Sequence, residues 1–153
     1  MDDRIRPGES AIELPARYDA SVYFIGRIRT PWRERADCPR QGDRDNGPEC
    51  QIEIDPRWRD ALFGIDAYSE LQILYWMDRT RRDLVRQLGR GRTEAAGTFA
   101  LRSPARPNPI ASSVVTLIRR EDVVLIVKGL DCLDLTPLID IKPHYGARSP
   151  SPV

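Results

Sequence analysis

Histidine and paired cysteines are nearly absent from this chain of 153 residues. His144 is the single histidine, which excludes any metal site that needs two or more imidazole ligands, as the common catalytic zinc sites do. The three cysteines form no CxxC pair, and their odd number argues against a disulfide framework. We therefore expect a protein of the reducing cytoplasm that works without a metal.

Long apolar runs are missing as well. The first ten residues carry charge rather than an apolar stretch, and apolar runs such as 123–127 are far shorter than a membrane span. We therefore predict neither a signal peptide nor a membrane segment. The chain also lacks a GxGxxG fingerprint, a P-loop lysine motif and a GxSxG elbow, which excludes nucleotide-fold oxidoreductases, kinases and α/β-hydrolases.

Lysine is scarce: Lys128 and Lys142 are the two lysines among 24 basic residues, and the other 22 are arginines. Acidic residues number 23, so the net charge of +1 provides no overall field that would attract nucleic acid or a membrane. Between Arg79 and Arg106, by contrast, eight arginines accompany two acidic residues. Such a local excess is typical of solvated loops and would also suit a phosphate backbone.

The sequence divides into an arm, one domain and a tail. Residues 1–21 mix charge with proline and glycine and lack periodicity, so we predict an extended N-terminal arm. Residues 22–146 form the predicted domain, whose length is typical of a single domain. The serine- and proline-rich end, 147–153, is predicted to be a disordered tail.

Short apolar segments bounded by turn residues dominate the predicted domain. They predict strands within 22–30, 49–54, 68–77, 98–101, 113–119, 123–130 and 138–142. The segments 113–119 and 123–130 are expected to pair as a hairpin. A short helix is predicted to begin at Pro56, and one helical turn is predicted at 82–88.

The order of these elements indicates the fold class. Because the strands follow one another without the regular helices that parallel sheets require, the pattern favours an antiparallel barrel or sandwich. We predict a mainly β protein: a small antiparallel β-barrel with one or two short helices and long loops, including the turn-rich segment 31–48.

Three segments carry residues that could bind a ligand. In 102–110, three prolines stiffen a loop whose arginines and asparagine could clamp an anion or a base edge, or could simply be solvated. The three aspartates of 130–143 could accept hydrogen bonds from a ligand or cap local turns. In 39–42 a cation and an amide precede Gly42, a glycine that would let a ligand approach closely.

Five short blocks of sequence occur in a fixed order along the domain. They are IGRIRTP at 25–31, PRQ at 39–41, GTFALRSP running into RPNPI at 97–110, LDCLDLTP at 130–137 and DIKP at 140–143. Together they strongly resemble the TsaA-like (YaeB, VirR) family, which includes the tRNA methyltransferase TrmO. The resemblance covers roughly residues 22–145.

The resemblance implies a β-barrel methyltransferase that uses S-adenosylmethionine and forms a homodimer. Its substrate would be the exocyclic nitrogen of threonylcarbamoyl-adenosine beside the anticodon of tRNA, and the arginine-rich region 79–106 would then be a tRNA surface. The cofactor contacts implied at matching positions are Arg40, Gln41, Asp78, Arg79, Arg102, Ser112, Gly129, Leu130 and Asp131.

The chain departs from the family pattern in its loops. Asp78 and Arg79 stand where the tRNA methyltransferase has a His-Gln pair, and Ala111 and Leu135 stand where the family has glycines. The chain ends shortly after the DIKP block, where enterobacterial members carry a further domain. Cofactor binding could therefore be kept while the tRNA specificity differs.

Methyl transfer chiefly needs alignment of the nucleophile with the methyl group in a dry pocket. Asp131 and Asp140 are candidate bases for the substrate nitrogen, although each could equally hold the cofactor amine or pack in a turn. The leading hypothesis is a methyltransferase acting on modified tRNA. Two alternatives stay open: a methyltransferase of the same fold with a small-molecule substrate, and a noncatalytic S-adenosylmethionine-binding regulatory module.

Overall fold

The computed structural model describes residues 4–146, and the predicted tail at 147–153 lies outside them. The chain divides into two compact units. The barrel unit comprises Val22–Trp76 and the residues from Ala111 onward, and the inserted unit comprises the residues up to Ser21 together with Met77–Ile110. The residues of the predicted arm are thus grouped with a segment that the chain inserts between two barrel strands.

The described residues form nine strands and three short 3-10 helices. The strands are β1 (Ser10–Ala11), β2 (Gly26–Arg29), β3 (Cys50–Ile54), β4 (Glu70–Trp76), β5 (Leu84–Gln87), β6 (Ala96–Gly97), β7 (Ile110–Glu121), β8 (Val124–Lys128) and β9 (Thr136–Pro143). Six of them close into a barrel in the order β2-β3-β8-β7-β4-β9. The pairs of β2 with β3 and β9, β3 with β8, β4 with β9, and β7 with β8 are antiparallel. The predicted fold class is therefore confirmed.

Alternating apolar side chains explain why these segments form the barrel. In β4, Leu71, Ile73 and Tyr75 are buried, while the residues between them are partly exposed. This alternation places one face of the strand in the interior. Ile28 and Leu138 complete the same core from the neighbouring strands β2 and β9. Because the barrel is closed, none of these six strands is an edge strand.

The first barrel strand is shorter than the apolar run that predicts it. β2 begins at Gly26, although the predicted strand begins at residue 22. The preceding aromatic residues pack by their rings instead: Tyr23 lies 6.3 Å from Trp58, and Phe24 lies 6.3 Å from Trp76, measured between ring centroids. The side chains of Tyr23 and Phe24 thus contact other aromatic rings while they stay exposed, and neither residue belongs to the barrel strand.

The predicted hairpin of β7 and β8 is confirmed. Glu121 pairs with Val124 at its turn. Asp122 has φ = 56°, a left-handed conformation that aspartate adopts more readily than most residues. The short side chain at this position is thus compatible with the tight connection.

The predicted helix that begins at Pro56 is present as the 3-10 helix Pro56–Leu62. The Asp55 side chain accepts a hydrogen bond from the Arg57 backbone amide at 3.0 Å, which caps the first turn. Proline fits the first helical position because no backbone donor is needed there. Two shorter 3-10 helices cover Ile65–Ala67 and Thr98–Ala100.

Two predicted elements of the inserted unit are wrong. The helical turn predicted at 82–88 is strand β5, which lies in the middle of the three-stranded sheet β1-β5-β6. Pairing on both sides satisfies the backbone groups of β5, and this outweighs the helical spacing of its apolar residues. The strand predicted at 98–101 is a 3-10 helix, whose Thr98 hydroxyl donates a hydrogen bond to the Leu84 carbonyl oxygen at 2.7 Å.

Charged side chains fasten the N-terminal segment to the end of β5. The Arg6 guanidinium donates to the Leu88 carbonyl oxygen at 2.8 Å, and the Glu9 carboxylate accepts from the Leu88 amide at 3.0 Å. Hydrogen bonding from the Arg6 side chain lowers the pKa of Glu9 to about 2. The segment that we predicted to be an extended arm therefore contributes both strand β1 and this pair of contacts.

Gln87 is the buried polar group that connects the parts of the inserted unit. Its side-chain amide donates to the Thr98 hydroxyl at 2.7 Å and to the Ala105 carbonyl oxygen. The side chain therefore links β5 to the 3-10 helix at Thr98 and to the proline-rich loop that follows it.

We expect Gln87→Ala to lower the free energy of unfolding by about 2 kcal/mol, because two buried oxygens lose their donor. Urea denaturation measures this loss. The exposed neighbour in the same strand provides the control, and Arg86→Ala is expected to change the same free energy by less than about 0.5 kcal/mol. Equal losses for the two variants would contradict the structural role of Gln87.

Candidate functional site

Two glycines bring distant parts of the barrel unit into backbone contact. A Cβ atom placed on Gly42 would overlap the carbonyl group of Gly129. Gly129 itself has φ = 112°, which side chains rarely allow. We predicted that Gly42 would let a ligand approach closely, and the structure shows that its close neighbour is the Gly129 backbone. We call this contact the glycine crossing.

An ion pair holds the loop 31–48 just after Gly42. A Cβ atom on Gly129 would lie 2.7 Å from Cγ of Arg44, so the Arg44 side chain covers this glycine. The Arg44 guanidinium reaches Oε1 of Glu70 at 2.8 Å, and Glu70 is 5% exposed. A buried carboxylate needs such a partner. Glu70 thereby fixes the loop to the start of β4.

The glycine crossing gathers predicted cofactor residues from two segments. Arg40 and Gln41 directly precede Gly42, and Leu130 and Asp131 directly follow Gly129. Arg40 and Gln41 are exposed, whereas Leu130 is 1% exposed. The structure therefore brings one cation, one amide and one carboxylate into the same neighbourhood.

Cys38 lies in the same loop and is half-buried. Burial raises the pKa of the Cys38 thiol, and the negative charge of Asp131 raises it further. The thiol thus stays neutral at ordinary pH. The contact of Gly42 with Gly129 places the end of the stretch 38–42 that follows Gln41 beside the segment after β8.

Asp131 is held from inside the barrel by Tyr75. The Tyr75 hydroxyl donates to Oδ1 of Asp131 at 2.8 Å and also lies 2.8 Å from the Ser113 hydroxyl oxygen. Burial raises the pKa of Tyr75, and the charge of Asp131 adds to this effect. Tyr75 therefore remains a hydrogen-bond donor throughout the working pH range of a protein.

Further hydrogen bonds fix the rest of this segment. The Thr30 hydroxyl donates to the Cys132 carbonyl oxygen at 2.9 Å, and the Thr30 amide donates to Asp134 at 3.2 Å. Ser112, another predicted cofactor residue, accepts a hydrogen bond from the Gln72 side chain at 2.9 Å. These contacts tie residues 132–134 to the residue that follows β2, and they tie Ser112 to β4.

Sequence reasoning missed the residues that support the site. Tyr75, Ser113, Glu70 and Arg44 were part of predicted strands or of the long loop, without a role of their own. One signal was present for Tyr75, because a tyrosine in a buried strand usually needs a partner for its hydroxyl. The identity of that partner depends on the fold.

The remaining predicted cofactor residues belong to the inserted unit. Asp78, Arg79 and Arg102 are all exposed there. In the proline-rich loop that Arg102 opens, Arg106 donates to the carbonyl oxygens of Leu101 and Ser103 at 3.1 and 3.0 Å. One of the two arginines that we considered for ligand clamping is thus used to brace its own loop.

The arginine-rich region divides into structural and exposed side chains. Arg81 forms an ion pair with Asp83 at 2.8 Å, and Arg82 donates to the Pro107 carbonyl oxygen. Five arginines are exposed: Arg79, Arg86, Arg90, Arg92 and Arg102. These five residues therefore account for the positive charge on the surface of the inserted unit in this region.

Asp140, the second candidate base, has different surroundings from Asp131. Its carboxylate lies 2.7 Å from the Lys142 ammonium and accepts a hydrogen bond from the Ile141 amide at 2.9 Å. It lines a cavity of about 350 Å³ with apolar residues that include Trp58 and Leu71. The two predicted bases thus do not share one set of neighbours.

Residues 4–146 contain no group of three or more histidine, cysteine, aspartate or glutamate side chains arranged to hold a metal ion. Cys38, Cys50 and Cys132 are free thiols. Within the same residues, no helix is long and apolar enough to cross a membrane.

Known proteins resemble this chain over most of its length. A sequence profile described as the tRNA-methyltransferase O N-terminal domain matches residues 27–148. The probable S-adenosyl-L-methionine-binding protein VirR of Rhizobium radiobacter is 48% identical over 147 residues, covering 96% of this chain and 83% of the relative. The tRNA (adenine(37)-N6)-methyltransferase of Escherichia coli K12 is 35% identical over 130 residues, covering 78% of this chain and 55% of the relative.

The fold is shared with a solved relative. The crystal structure of TrmO from Pseudomonas aeruginosa matches with a TM-score of 0.69 and 34% identity, covering 84% of this chain and 57% of that one. The chain thus spans little more than half the length of the solved TrmO chain. These matches confirm the resemblance that the sequence blocks indicate: the chain belongs to the tRNA-methyltransferase O N-terminal domain family.

Proposed function

We propose that this protein is an S-adenosylmethionine-dependent methyltransferase that methylates the exocyclic nitrogen of threonylcarbamoyl-adenosine in tRNA. The observation that carries the proposal is the glycine crossing, which gathers Arg40, Gln41, Leu130 and Asp131 on the barrel unit. Support for the reaction comes from the Escherichia coli relative, which is named a tRNA (adenine(37)-N6)-methyltransferase.

The chemistry of the gathered residues fits S-adenosylmethionine. The cofactor presents a carboxylate, an ammonium group, a sulfonium sulfur and an adenine ring. Asp131 is suited to a cationic group, Arg40 to a carboxylate, and the Gln41 amide to the edge of a base. We propose that these three residues bind the cofactor together with Ser112, Gly129 and Leu130. For Asp78, Arg79 and Arg102 the same role stays a prediction.

When bound, S-adenosylmethionine supplies a methyl group attached to a positively charged sulfur. The protein's task is to orient the substrate nitrogen in line with the carbon–sulfur bond, so that a nitrogen–carbon bond forms as that bond breaks. The nitrogen also gives up a proton. Asp131 and Asp140 are the two predicted acceptors. An Asp131 carboxylate that binds the cationic group of the cofactor leaves this role to Asp140, and the separate surroundings of the two residues allow each to be tested alone.

Arginines of the inserted unit supply the RNA contact in this proposal. Arg79, Arg86, Arg90 and Arg92 are exposed, and guanidinium groups bind phosphate oxygens with good geometry. A near-neutral protein can therefore carry a local basic surface. Because neutralised phosphates release counterions, we expect tRNA affinity to fall as salt concentration rises.

A second candidate function is S-adenosylmethionine binding without methyl transfer. It is favoured by the names of several relatives, VirR among them, which are described as S-adenosyl-L-methionine-binding proteins. The homodimer implied by the family resemblance is part of either proposal, and sedimentation equilibrium would test it.

We expect Gly42→Ala to weaken S-adenosylmethionine binding at least tenfold, because the added methyl group must push the loop away from Gly129. Isothermal titration calorimetry measures the dissociation constant. Gly97→Ala is the matched control, since a Cβ atom there would meet nothing within 4 Å. Unchanged affinity in Gly42→Ala would mean that the glycine crossing does not organise the binding residues.

We expect a methylated nucleoside to form when tRNA that contains threonylcarbamoyl-adenosine is incubated with the protein and S-adenosylmethionine. Mass spectrometry of the digested tRNA detects it, and tRNA without the modification is the control substrate. Binding of the cofactor without this product would contradict the leading proposal and favour the binding module. If Asp140 is the base, we expect Asp140→Asn to lower kcat in this assay. Its affinity for S-adenosylmethionine, measured by calorimetry, should stay unchanged.

A further inference from the structure

The hydrogen bonds at Tyr75 have a defined direction. Tyr75 is 3% exposed, and its hydroxyl carries a single proton. The ionised Asp131 carboxylate can only accept, so the Tyr75 proton points to Oδ1 of Asp131. The Ser113 hydroxyl must then donate to the Tyr75 oxygen. The order of donation is therefore Ser113 to Tyr75 to Asp131.

This arrangement leaves one oxygen of Asp131 available. Tyr75 uses Oδ1, and no residue within 4–146 forms a hydrogen bond to Oδ2. Asp131 is partly exposed, whereas the hydroxyl groups that orient it belong to the buried Tyr75 and the half-buried Ser113. The carboxylate is thus held rigidly from the inside while its second oxygen can take a ligand.

The chemistry of the second oxygen selects one class of ligand group. A carboxylate oxygen without a partner binds a cationic hydrogen-bond donor best. Among the groups of S-adenosylmethionine, the ammonium carries three N–H donors, whereas the sulfonium sulfur carries none. The ammonium group is therefore the part of the cofactor that suits Oδ2.

We propose that Tyr75 is a positioning residue that holds Asp131 to receive the ammonium group of S-adenosylmethionine, and that Ser113 orients Tyr75. The inference rests on the proposed function, since it requires that this chain binds the cofactor. Removing the Tyr75 hydroxyl leaves the aromatic ring in the core and frees Asp131 to rotate. That rotation would weaken the binding of the amino-acid part of the cofactor and leave the binding of its adenosine part unchanged.

The test compares two ligands that differ in the amino-acid part. Calorimetric titrations use S-adenosylhomocysteine and 5′-methylthioadenosine, two uncharged thioethers that share the adenosine, of which only the first carries the amino acid with its ammonium group. We expect Tyr75→Phe to weaken the first ligand roughly tenfold, as expected for a hydrogen bond to a charged group, and to leave the second unchanged. Tyr23→Phe, which removes an exposed hydroxyl from the same unit, is the matched control.

A double-mutant cycle tests whether Tyr75 acts through Asp131. Asp131→Asn is expected to weaken S-adenosylmethionine at least as much as Tyr75→Phe, and the double variant is expected to match Asp131→Asn alone. Ser113→Thr, which keeps the hydroxyl, should bind the cofactor more tightly than Ser113→Ala. In turnover, Tyr75→Phe should raise the KM for the cofactor and leave kcat in place.

The outcomes separate this inference from the function on which it rests. If the unaltered protein does not bind S-adenosylmethionine, the proposed function itself fails. If the unaltered protein binds and Tyr75→Phe binds equally well, the positioning role is overturned. Equal weakening of both ligands, or additive effects in the cycle, would also overturn it, because Tyr75 would then act on the barrel as a whole.

Discussion

The contact between the backbones of Gly42 and Gly129 is the constraint on which the candidate site depends. No side chain fits between these two backbone segments, so the long loop can lie against the segment after β8 only if both positions are glycine. The ion pair of Arg44 with the buried Glu70 secures the loop beside this contact. These two features therefore determine where the loop places Arg40 and Gln41.

A second principle of the site is support from the interior. Asp131 belongs to a loop, yet its carboxylate is oriented by a hydroxyl of the barrel strand β4, which in turn is oriented by a hydroxyl of β7. Thr30, which directly follows β2, fixes Cys132 and Asp134 in the same way. Binding groups on loops thus gain the precision of the rigid sheet below them.

The sequence predicted the barrel better than it predicted the inserted unit. Alternating apolar residues identify β3, β4 and the hairpin, because each places one face in a core. The same reasoning failed at 82–88, where pairing with β1 and β6 decides the structure and neither partner is a strong strand former. Gly42 was recognised as a point of close approach, but its partner Gly129 and the partner of Tyr75 depend on contacts between segments far apart in sequence.

The closure of the barrel has a consequence for how the protein forms. The closing pair joins β2, at Gly26–Arg29, to β9, at Thr136–Pro143, so nearly the whole described chain lies between its two strands. Such distant contacts carry a large loop-closure cost and slow the folding of β proteins. On the ribosome, the first barrel strand therefore waits until β9 has been synthesised before the sheet can close.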